Sequence, residues 1–399
     1  MKNTEKPEIA VDEKRRELIK TALQAGAVTV GAGLLEACGG SAAASTNTDT
    51  PTSTVTTKSL SLPLLPTNFR VDVHCHHIPD FYRTSLASHG IVTAGGIPIP
   101  PWTPELAVGF MNSYGIQTQV LSISEPGVYY LPTAAERLAM AMQLNDYTTN
   151  SLINSGNPLL AGRFGGFAVL PLGNPADPQD VLNSSLEAGR ALNTLRMDGI
   201  GLYSNYNGVY LGDPSLEPLM ATLNSLGAMV FVHPVTPAAY PNLNLPTFLY
   251  EFPFDTTRAV VNMLYHGVFQ RYPKIRWLLA HAGGTVPYLA YRTSLLTLYP
   301  ALAQNLGLSG LDNQNAAFAS LFYDTALSPA PSAMKSVREV TDVSHIMFAT
   351  DWPFSAPLFI VPGDPAPQLA SSFNSTELTM VGRSNALAQL PTLKARIGA

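Results

Sequence analysis

The sequence predicts one α/β domain, a closed (β/α)8 TIM barrel, over residues 68–399. Two observations carry the prediction: eight short apolar runs recur along the chain, and segments with helical spacing separate them. Apolar runs that alternate with helices indicate a parallel sheet, and eight such units suit a closed barrel better than an open sheet. The predicted strands are a run that ends at His76 and the segments 115–124, 164–172, 199–204, 228–234, 275–281, 320–326 and 345–353.

Metal-binding residue types gather where the predicted strands end. In such barrels the chemistry lies at the carboxyl ends of the strands. His74 and His76 end the first strand, and side chains two apart on a strand point to the same face. Four of the eight histidines in the chain fall at strand ends, and this pattern predicts a metal site at the mouth of the barrel. The other strand-end residues of this kind are His233, His281, Asp324 and Asp351.

The residue types also indicate which ion the site would hold. Three imidazoles and a carboxylate suit a borderline divalent ion, with zinc the first choice and manganese or iron as alternatives. No lysine occurs between Lys58 and Lys274, so the modified lysine that often bridges two ions has no counterpart and one ion is expected. Cys75 points away from the two neighbouring histidines by strand alternation, which predicts packing in the barrel wall.

The first 40 residues have the composition of an export signal. Arg15 and Arg16 precede an apolar run of small residues over 21–35, and the run that begins at Arg15 resembles a twin-arginine signal. The Leu-x-Ala-Cys sequence that ends at Cys38 resembles a lipobox, so Cys38 is a candidate lipid anchor. The alternative is a cytoplasmic protein with an amphipathic N-terminal helix.

Residues 41–67 are rich in Ser, Thr, Pro and Ala and predict a flexible, disordered tether. With the export signal, this tether predicts a periplasmic protein or a membrane-anchored lipoprotein of a bacterium. A net charge of −5 and the absence of any stretch rich in Lys or Arg downstream make nucleic acid an unlikely partner.

Five motifs in the barrel region resemble the amidohydrolase-related family. Within it they resemble the group of aminocarboxymuconate semialdehyde decarboxylase, and most of all its 6-methylsalicylate decarboxylase-like members. The resemblance covers roughly residues 69–390 and implies that His74, His76, His233 and Asp351 bind the metal. It also implies that His281 is catalytic and that the protein forms homodimers. The motifs are HCHHIP at 74–79, FVHP at 231–234, the run 255–292 that contains LLAHAGG, YDTA at 323–326 and ATDWPF at 349–354.

The reaction that the resemblance implies is metal-dependent, non-oxidative decarboxylation of a small hydroxy-aromatic or related unsaturated carboxylic acid, without an organic cofactor. Asp351 would deliver the proton and His281 would orient it or the substrate. No arginine occurs between Thr84 and Glu136, which favours a hydroxy-aromatic acid over a dicarboxylate. The alternative is a hydrolase of a lactone, ester or amide that uses the same mononuclear site. A binding protein with a vestigial barrel is a third hypothesis, but no strand-end ligand is missing.

Several residues near the predicted strand ends are candidates for contact with the substrate. Asn205 and Glu125 are loop candidates, and Asp324 is expected to support a ligating histidine. The candidates for sandwiching a planar ring are Trp102, Tyr203, Tyr206, Trp352 and Phe354, each with packing in the wall as the alternative.

Overall fold

The computed structural model describes residues 70–306 and 314–399. The predicted export signal (1–40), Cys38 and the predicted tether (41–67) lie outside the described residues, so these remain predictions. Within the part of the chain that is described, no helix combines the length and the apolar character needed to cross a membrane.

Eight parallel strands form one sheet in which each strand pairs with the next along the chain. The last strand returns to the first, because the Val73 amide donates to Phe348 O (3.1 Å) and the Asp351 amide donates to His74 O (2.7 Å). This confirms the predicted eight-stranded barrel. The strands are β1 (Arg70–His76), β2 (Ile116–Ser122), β3 (Phe164–Val169), β4 (Gly199–Tyr203), β5 (Met229–His233), β6 (Arg276–Leu279), β7 (Phe322–Asp324) and β8 (Ile346–Met347).

Helices follow the strands, and their ends carry the expected capping residues. Thr133 and Glu136 form a capping box, and Thr103 caps the helix that begins at Pro104. The helices are α1 (Asp80–Ser88), α2 (Pro104–Ser113), α3 (Ala134–Asp146), α4 (Pro178–Gly189), α5 (Glu217–Leu226), α6 (Glu251–Tyr265), α7 (Val268–Arg271), α8 (Val286–Ser294), α9 (Pro300–Asn305), α10 (Gln314–Ser320), α11 (Pro331–Arg338), α12 (Ser375–Thr379), α13 (Asn385–Gln389) and α14 (Pro391–Arg396).

The segment 77–102, which follows His76 at the end of β1, contains regular structure. It contains α1 and a small hairpin of two short strands, Thr93–Ala94 and Ile97–Pro98. Gly95 and Gly96 form the turn of this hairpin with φ values of 58° and 82°, a region that glycine adopts without steric cost. A Cβ on Gly95 would lie 2.9 Å from the Phe252 ring, so glycine also permits the close approach of the hairpin to α6.

The two faces of β1 are both buried but differ in character. Asp72, His74 and His76 alternate with Val71, Val73 and Cys75, and all six are fully buried. Cys75 lies in the apolar core, as predicted, with its thiol against Val120 O at 3.4 Å. The pairing of β1 with β2 shifts register between Asp72 and Cys75, and Val71 and Val73 pack in one apolar cluster while Cys75 packs in another.

Candidate metal centre

Four side chains from three distant parts of the chain converge at the carboxyl ends of the strands. His74, His76, His233 and Asp351 each offer one ligand atom, and these atoms all lie within 4.8 Å of one another. All four residues are buried. These are the four ligands that the sequence predicts.

The distances between the ligand atoms suit a single ion. His74 Nε2 lies 3.2 Å from His76 Nε2 and 3.3 Å from Asp351 Oδ1, and His76 Nε2 lies 3.1 Å from the same oxygen. Ligands about 2.0–2.1 Å from a tetrahedral zinc ion are separated by roughly 3.3 Å. Three of the four ligand atoms thus have the spacing expected around one ion, and all four lie within 4.8 Å of one another.

Hydrogen bonds on the far side of each imidazole leave its Nε2 free to bind an ion. His74 Nδ1 lies 2.7 Å from Asp324 Oδ2, His76 Nδ1 lies 3.0 Å from Ser122 Oγ, and His233 Nδ1 lies 2.7 Å from Pro234 O. When Nδ1 carries the proton and donates it to these oxygens, the lone pair of Nε2 points to the centre. The same three bonds fix the orientation of the rings.

Two of the candidate residues have a strained backbone. Asp351 has φ 64° and His281 has φ 55°, a left-handed conformation that costs a residue other than glycine on the order of 1–3 kcal/mol. Fixed partners hold both residues there: the Asp351 amide donates to His74 O and the His281 amide donates to Asp324 Oδ1 (2.8 Å). Such strain is concentrated at functional sites, where it aims a side chain that regular structure would aim elsewhere.

The two carboxylates of the site favour a positive charge at its centre. Burial lowers the pKa of His74, but the carboxylates of Asp324 and Asp351 outweigh burial and raise this pKa to about 10. Burial lowers the pKa of His76, and burial with the like charges of neighbouring histidines lowers the pKa of His233 well below its usual value. Burial also opposes ionisation of Asp351, yet the charge of His74 holds the pKa of Asp351 well below its usual range. A proton on His74 thus supplies the positive charge that a divalent ion would supply.

His281 and Asp324 stand beside the four ligands. His281 Nε2 lies 3.4 Å from Asp351 Oδ2, the carboxylate oxygen that does not face His74 and His76. Asp324 accepts from the His281 amide through one oxygen and contacts His74 Nδ1 through the other. Asp324 therefore supports the ring of His74, as the sequence predicts for a ligating histidine. It also connects His281, which follows β6, with His74 in β1.

Sequence reasoning missed Asp72, a buried carboxylate two residues before His74 in β1. Its carboxylate accepts from Thr350 N (3.1 Å), Thr350 Oγ1 (2.7 Å) and Gln119 Nε2 (3.2 Å). Burial raises the pKa of Asp72 to about 7 despite these hydrogen bonds. Asp72 thereby fixes the backbone that leads to Asp351. An acidic residue within the otherwise apolar run that leads to the histidines is the signal that could have identified it.

An apolar cavity of about 210 Å³ opens directly above the ligands. His233 and Asp351 form part of its lining, together with Ser124, Ser355 and Gly95. The remaining lining residues are hydrocarbon or aromatic and come from the hairpin, the segment after β5, and the segments after β7 and β8. They are Ala94, Ile97, Phe248, Phe252, Leu327, Phe354, Pro357 and Leu358.

Phe354 is the predicted ring contact that lines this cavity, and its ring lies 5.5 Å from the His76 ring. The other four aromatic candidates do not line it, because packing in the wall occupies them. Trp102 packs edge-on against His77, and Trp352 stacks on Phe110 with ring centroids 5.2 Å apart. For these two residues the contacts favour wall packing, the alternative that the sequence prediction left open.

Tyr203, Tyr206 and Asn205 are likewise engaged away from the cavity. Tyr203 donates through its hydroxyl to Ile123 O (2.8 Å), and the Tyr206 ring packs against the Tyr203 ring at 5.8 Å. Asn205 donates through its amide to Asp255 (2.9 Å). These contacts fix the loop after β4, and contact of the three residues with the substrate remains a prediction.

Phe248 and Phe252 are cavity residues that the sequence analysis did not select. They lie in the segment after β5 and in the first turn of α6, fifteen or more residues beyond His233. Their side chains approach the Gly95 turn closely, within 3.1 Å and 2.9 Å of a Cβ built there. The glycine pair at 95–96 was the available signal, since adjacent glycines mark a close approach of two backbones.

Comparison with known proteins is consistent with this geometry. The sequence profile of the family described as Amidohydrolase matches residues 71–390. A 6-methylsalicylic acid decarboxylase of Penicillium expansum is 34% identical over 292 residues, which cover 71% of this chain and 85% of that protein. A crystal structure described as an amidohydrolase II superposes with a TM-score of 0.69 at 25% identity, covering 81% of this chain and 99% of that one.

A 5-carboxyvanillate decarboxylase of Novosphingobium aromaticivorans, solved with manganese and a nitrobenzoic acid, shares the fold. Its TM-score is 0.65 at 17% identity, with 82% of this chain and 96% of that chain covered. The profile match spans most of the barrel and contains all four candidate ligands. This chain therefore belongs to the amidohydrolase family.

Proposed function

We propose that this protein is a metal-dependent, non-oxidative decarboxylase of a small hydroxy-aromatic carboxylic acid. The observation that carries the proposal is the position of a three-histidine, one-aspartate centre at the base of an apolar cavity. Its relatives include decarboxylases of 6-methylsalicylic acid, 5-carboxyvanillate and 2,6-dihydroxybenzoate.

The cavity supports an aromatic substrate of modest size. A dry cavity of roughly 150 Å³ lined by apolar side chains binds benzene. The cavity here measures about 210 Å³, which leaves room for one ring with small substituents. Phe252 and Phe354 offer their rings to its walls, and aromatic pairs add stabilisation beyond the area that they bury.

His74, His76, His233 and Asp351 would hold the ion. When bound, a divalent ion supplies positive charge that offsets the negative charge of substrate oxygens. The apolar walls exclude water from the reacting carbon, so electrostatic interactions in the cavity are strong. We propose zinc as the resident ion, since three imidazoles and one carboxylate suit it, with manganese as the alternative found in a relative.

The protein must deliver one proton to the ring carbon as the bond to the carboxylate breaks and CO2 leaves. Asp351 is the candidate donor, because it lines the cavity. His74 holds the pKa of Asp351 low, so Asp351 must first take up a proton, and His281 Nε2, 3.4 Å from Asp351 Oδ2, is placed to pass one to it. His281 would hold or restore this proton and orient the carboxylate. Asp324 keeps His281 in place by accepting a hydrogen bond from the backbone amide of His281.

We further propose that the protein is exported through the twin-arginine route, anchored by lipid at Cys38 and dimeric. The sequence of residues 1–40 supports export, and the family resemblance supports the dimer. Metabolic labelling with palmitate should mark the wild type and not the variant Cys38→Ala.

A substrate panel tests the proposed function. Metal-loaded protein is incubated with hydroxybenzoates, and the same preparation is incubated with lactones, esters and amides. We expect CO2 release from at least one hydroxybenzoate and no comparable hydrolysis. Turnover confined to the lactones, esters or amides would show that the site serves hydrolysis instead.

A further inference from the structure

The cavity opens to solvent on one side. Among the described residues that line it, those exposed to solvent are Leu327, Pro357 and Leu358. Leu327 lies three residues beyond β7, and Pro357 and Leu358 lie in a short helical turn after β8. Because β7 and β8 are paired neighbours, the opening lies beside the ends of these two strands. On the other walls Ala94 and Phe252 are buried.

Leu327 occupies its place at this opening at a cost. Its φ is 53°, a left-handed conformation that glycine adopts readily and that is strained for leucine. The Ser328 amide donates to Thr325 O (3.1 Å) and the Thr325 amide donates to Met347 O (3.1 Å), which closes the turn around Leu327 and ties it to β8. The residue is 37% exposed, so contacts within the protein cover only part of its side chain. Strained residues concentrate at ligand sites, and a ligand that covers Leu327 would supply further contacts.

The exposed apolar surface continues along the chain from Leu358, which is 59% exposed. The Phe359 ring packs against the Phe110 ring of α2, with centroids 5.0 Å apart, and this contact fixes the segment. Ile360 and Val361 follow, and both are exposed. A single exposed leucine needs no explanation, but adjoining exposed apolar residues that begin at the rim of a cavity mark a surface for an apolar ligand.

We propose that the ring of the substrate carries an aliphatic chain, which leaves the cavity between Leu327 and Leu358 and lies against this exposed surface. The inference rests on the proposed function and specifies its substrate class. The cavity of about 210 Å³ holds one ring, so a chain longer than a few carbons must pass through the opening. Each methylene that is buried against apolar side chains favours binding, and an aliphatic chain has no polar group that needs a partner at the rim.

Binding calorimetry with the metal-loaded protein tests the proposal, with 4-, 5- and 6-alkylsalicylates as probes. In at least one of these series the affinity should rise about twofold for each methylene, or about eightfold from methyl to butyl, because a chain on an open rim buries roughly half of its surface. In Leu327→Gly and in Leu358→Ala this gain should fall to about threefold or less, while the methylsalicylate should bind within about twofold of wild type. Leu327→Gly should fold, since glycine adopts the left-handed turn without strain.

Leu186→Ala is the matched control, because Leu186 in α4 is a similarly exposed leucine that lies outside the described lining of the cavity. It should keep the full gain from methyl to butyl. An affinity that does not rise with chain length in any series would overturn the inference, and a second copy of the chain over the opening would give that result. A full gain in either Leu327→Gly or Leu358→Ala would also overturn it.

The calorimetric comparison does not depend on turnover. Absence of CO2 release from every hydroxybenzoate would contradict the proposed function. The dependence of affinity on chain length would still decide whether the opening binds an aliphatic chain.

Discussion

The floor and the roof of the cavity are built in opposite ways. The floor consists of the ligand side chains at the ends of β1 and β5 and just after β8, and each imidazole there is oriented by a hydrogen bond on its Nδ1. The roof consists of apolar side chains from the hairpin 93–98, the segment 248–252 and the segment 354–358. Catalysis thus depends on which side chains offer metal-binding atoms in the floor, while the roof gives the cavity its shape and excludes water.

Glu125 is the main polar attachment of the roof. Its carboxylate accepts from Thr236 N (2.6 Å) and Thr236 Oγ1 (3.0 Å), and it also accepts from the Gly95 amide in the hairpin turn. The Phe248 amide donates in turn to Gly95 O (3.1 Å). The Glu125 carboxylate therefore joins the loops after β2 and β5 to the hairpin. The roof depends on this one side chain, whereas each imidazole of the floor has its own hydrogen-bond partner.

The largest effect is expected from removing a floor ligand. His76→Ala deletes an Nε2 that lies 3.1 Å from Asp351 Oδ1. The protein should lose its metal, and activity should fall to about one thousandth or less, because charge stabilisation worth several kcal/mol is removed. Metal analysis of the purified protein measures the first effect. His89→Ala, at an exposed histidine in the same region, should retain metal and activity.

A smaller effect is expected from changing the support of a ligand. Asp324→Asn keeps the shape of the side chain but removes its negative charge. The asparagine amide has one accepting oxygen, so it cannot accept from both His74 Nδ1 and the His281 amide. Metal affinity should fall about 10- to 100-fold, as for other partners of ligating histidines. Competition with a chromogenic chelator measures this affinity. An unchanged affinity would mean that Asp324 is irrelevant to the ion.

The pH dependence of metal binding provides a third comparison within the floor. In the metal-free protein the pKa of His74 is raised to about 10, and burial lowers the pKa values of His76 and His233. At pH 7 only His74 of the three is therefore protonated, and binding must displace its proton. Affinity should rise about tenfold per pH unit between roughly pH 7 and 9. Calorimetry in buffers of different ionisation enthalpy should show release of about one proton.

The smallest effect is expected in the roof. Glu125→Gln replaces one carboxylate oxygen with an amide nitrogen, which must face either the Gly95 amide or the Thr236 groups and cannot accept from them. The hairpin should loosen, and KM should rise about fivefold, the value of one hydrogen bond of about 1 kcal/mol. Metal content should not change. A loss of metal in this variant would contradict the separation of floor from roof.

The floor could be predicted from the sequence because two simple rules locate it. Strand alternation aligns His74 with His76, and barrel closure brings the ends of distant strands to one face. The same rules bring His233, His281, Asp324 and Asp351 to this face, and the family resemblance is what selects His233 and Asp351 among them as ligands. The left-handed conformations of His281 and Asp351 follow from tertiary contacts and have no local signal in the sequence.

The roof could not be predicted in the same way. Phe354 lines the cavity and Trp352, two residues earlier, packs on Phe110, although both are aromatic and lie next to Asp351. Outside a strand no fixed period decides which side chain faces inward. Phe248 and Phe252 enter the cavity because the hairpin turn at Gly95 packs against them, a contact between segments about 150 residues apart.

The most direct test of the account is release of labelled CO2 from a hydroxybenzoate that carries ¹³C in its carboxyl group. Metal-loaded protein should release one equivalent of labelled CO2 for each phenol formed. Protein stripped by a chelator should release none until metal is restored, because the charge that the four ligands hold in place is required. Equal release by stripped protein, or no release with any hydroxybenzoate by protein shown to carry its metal, would contradict the central claim.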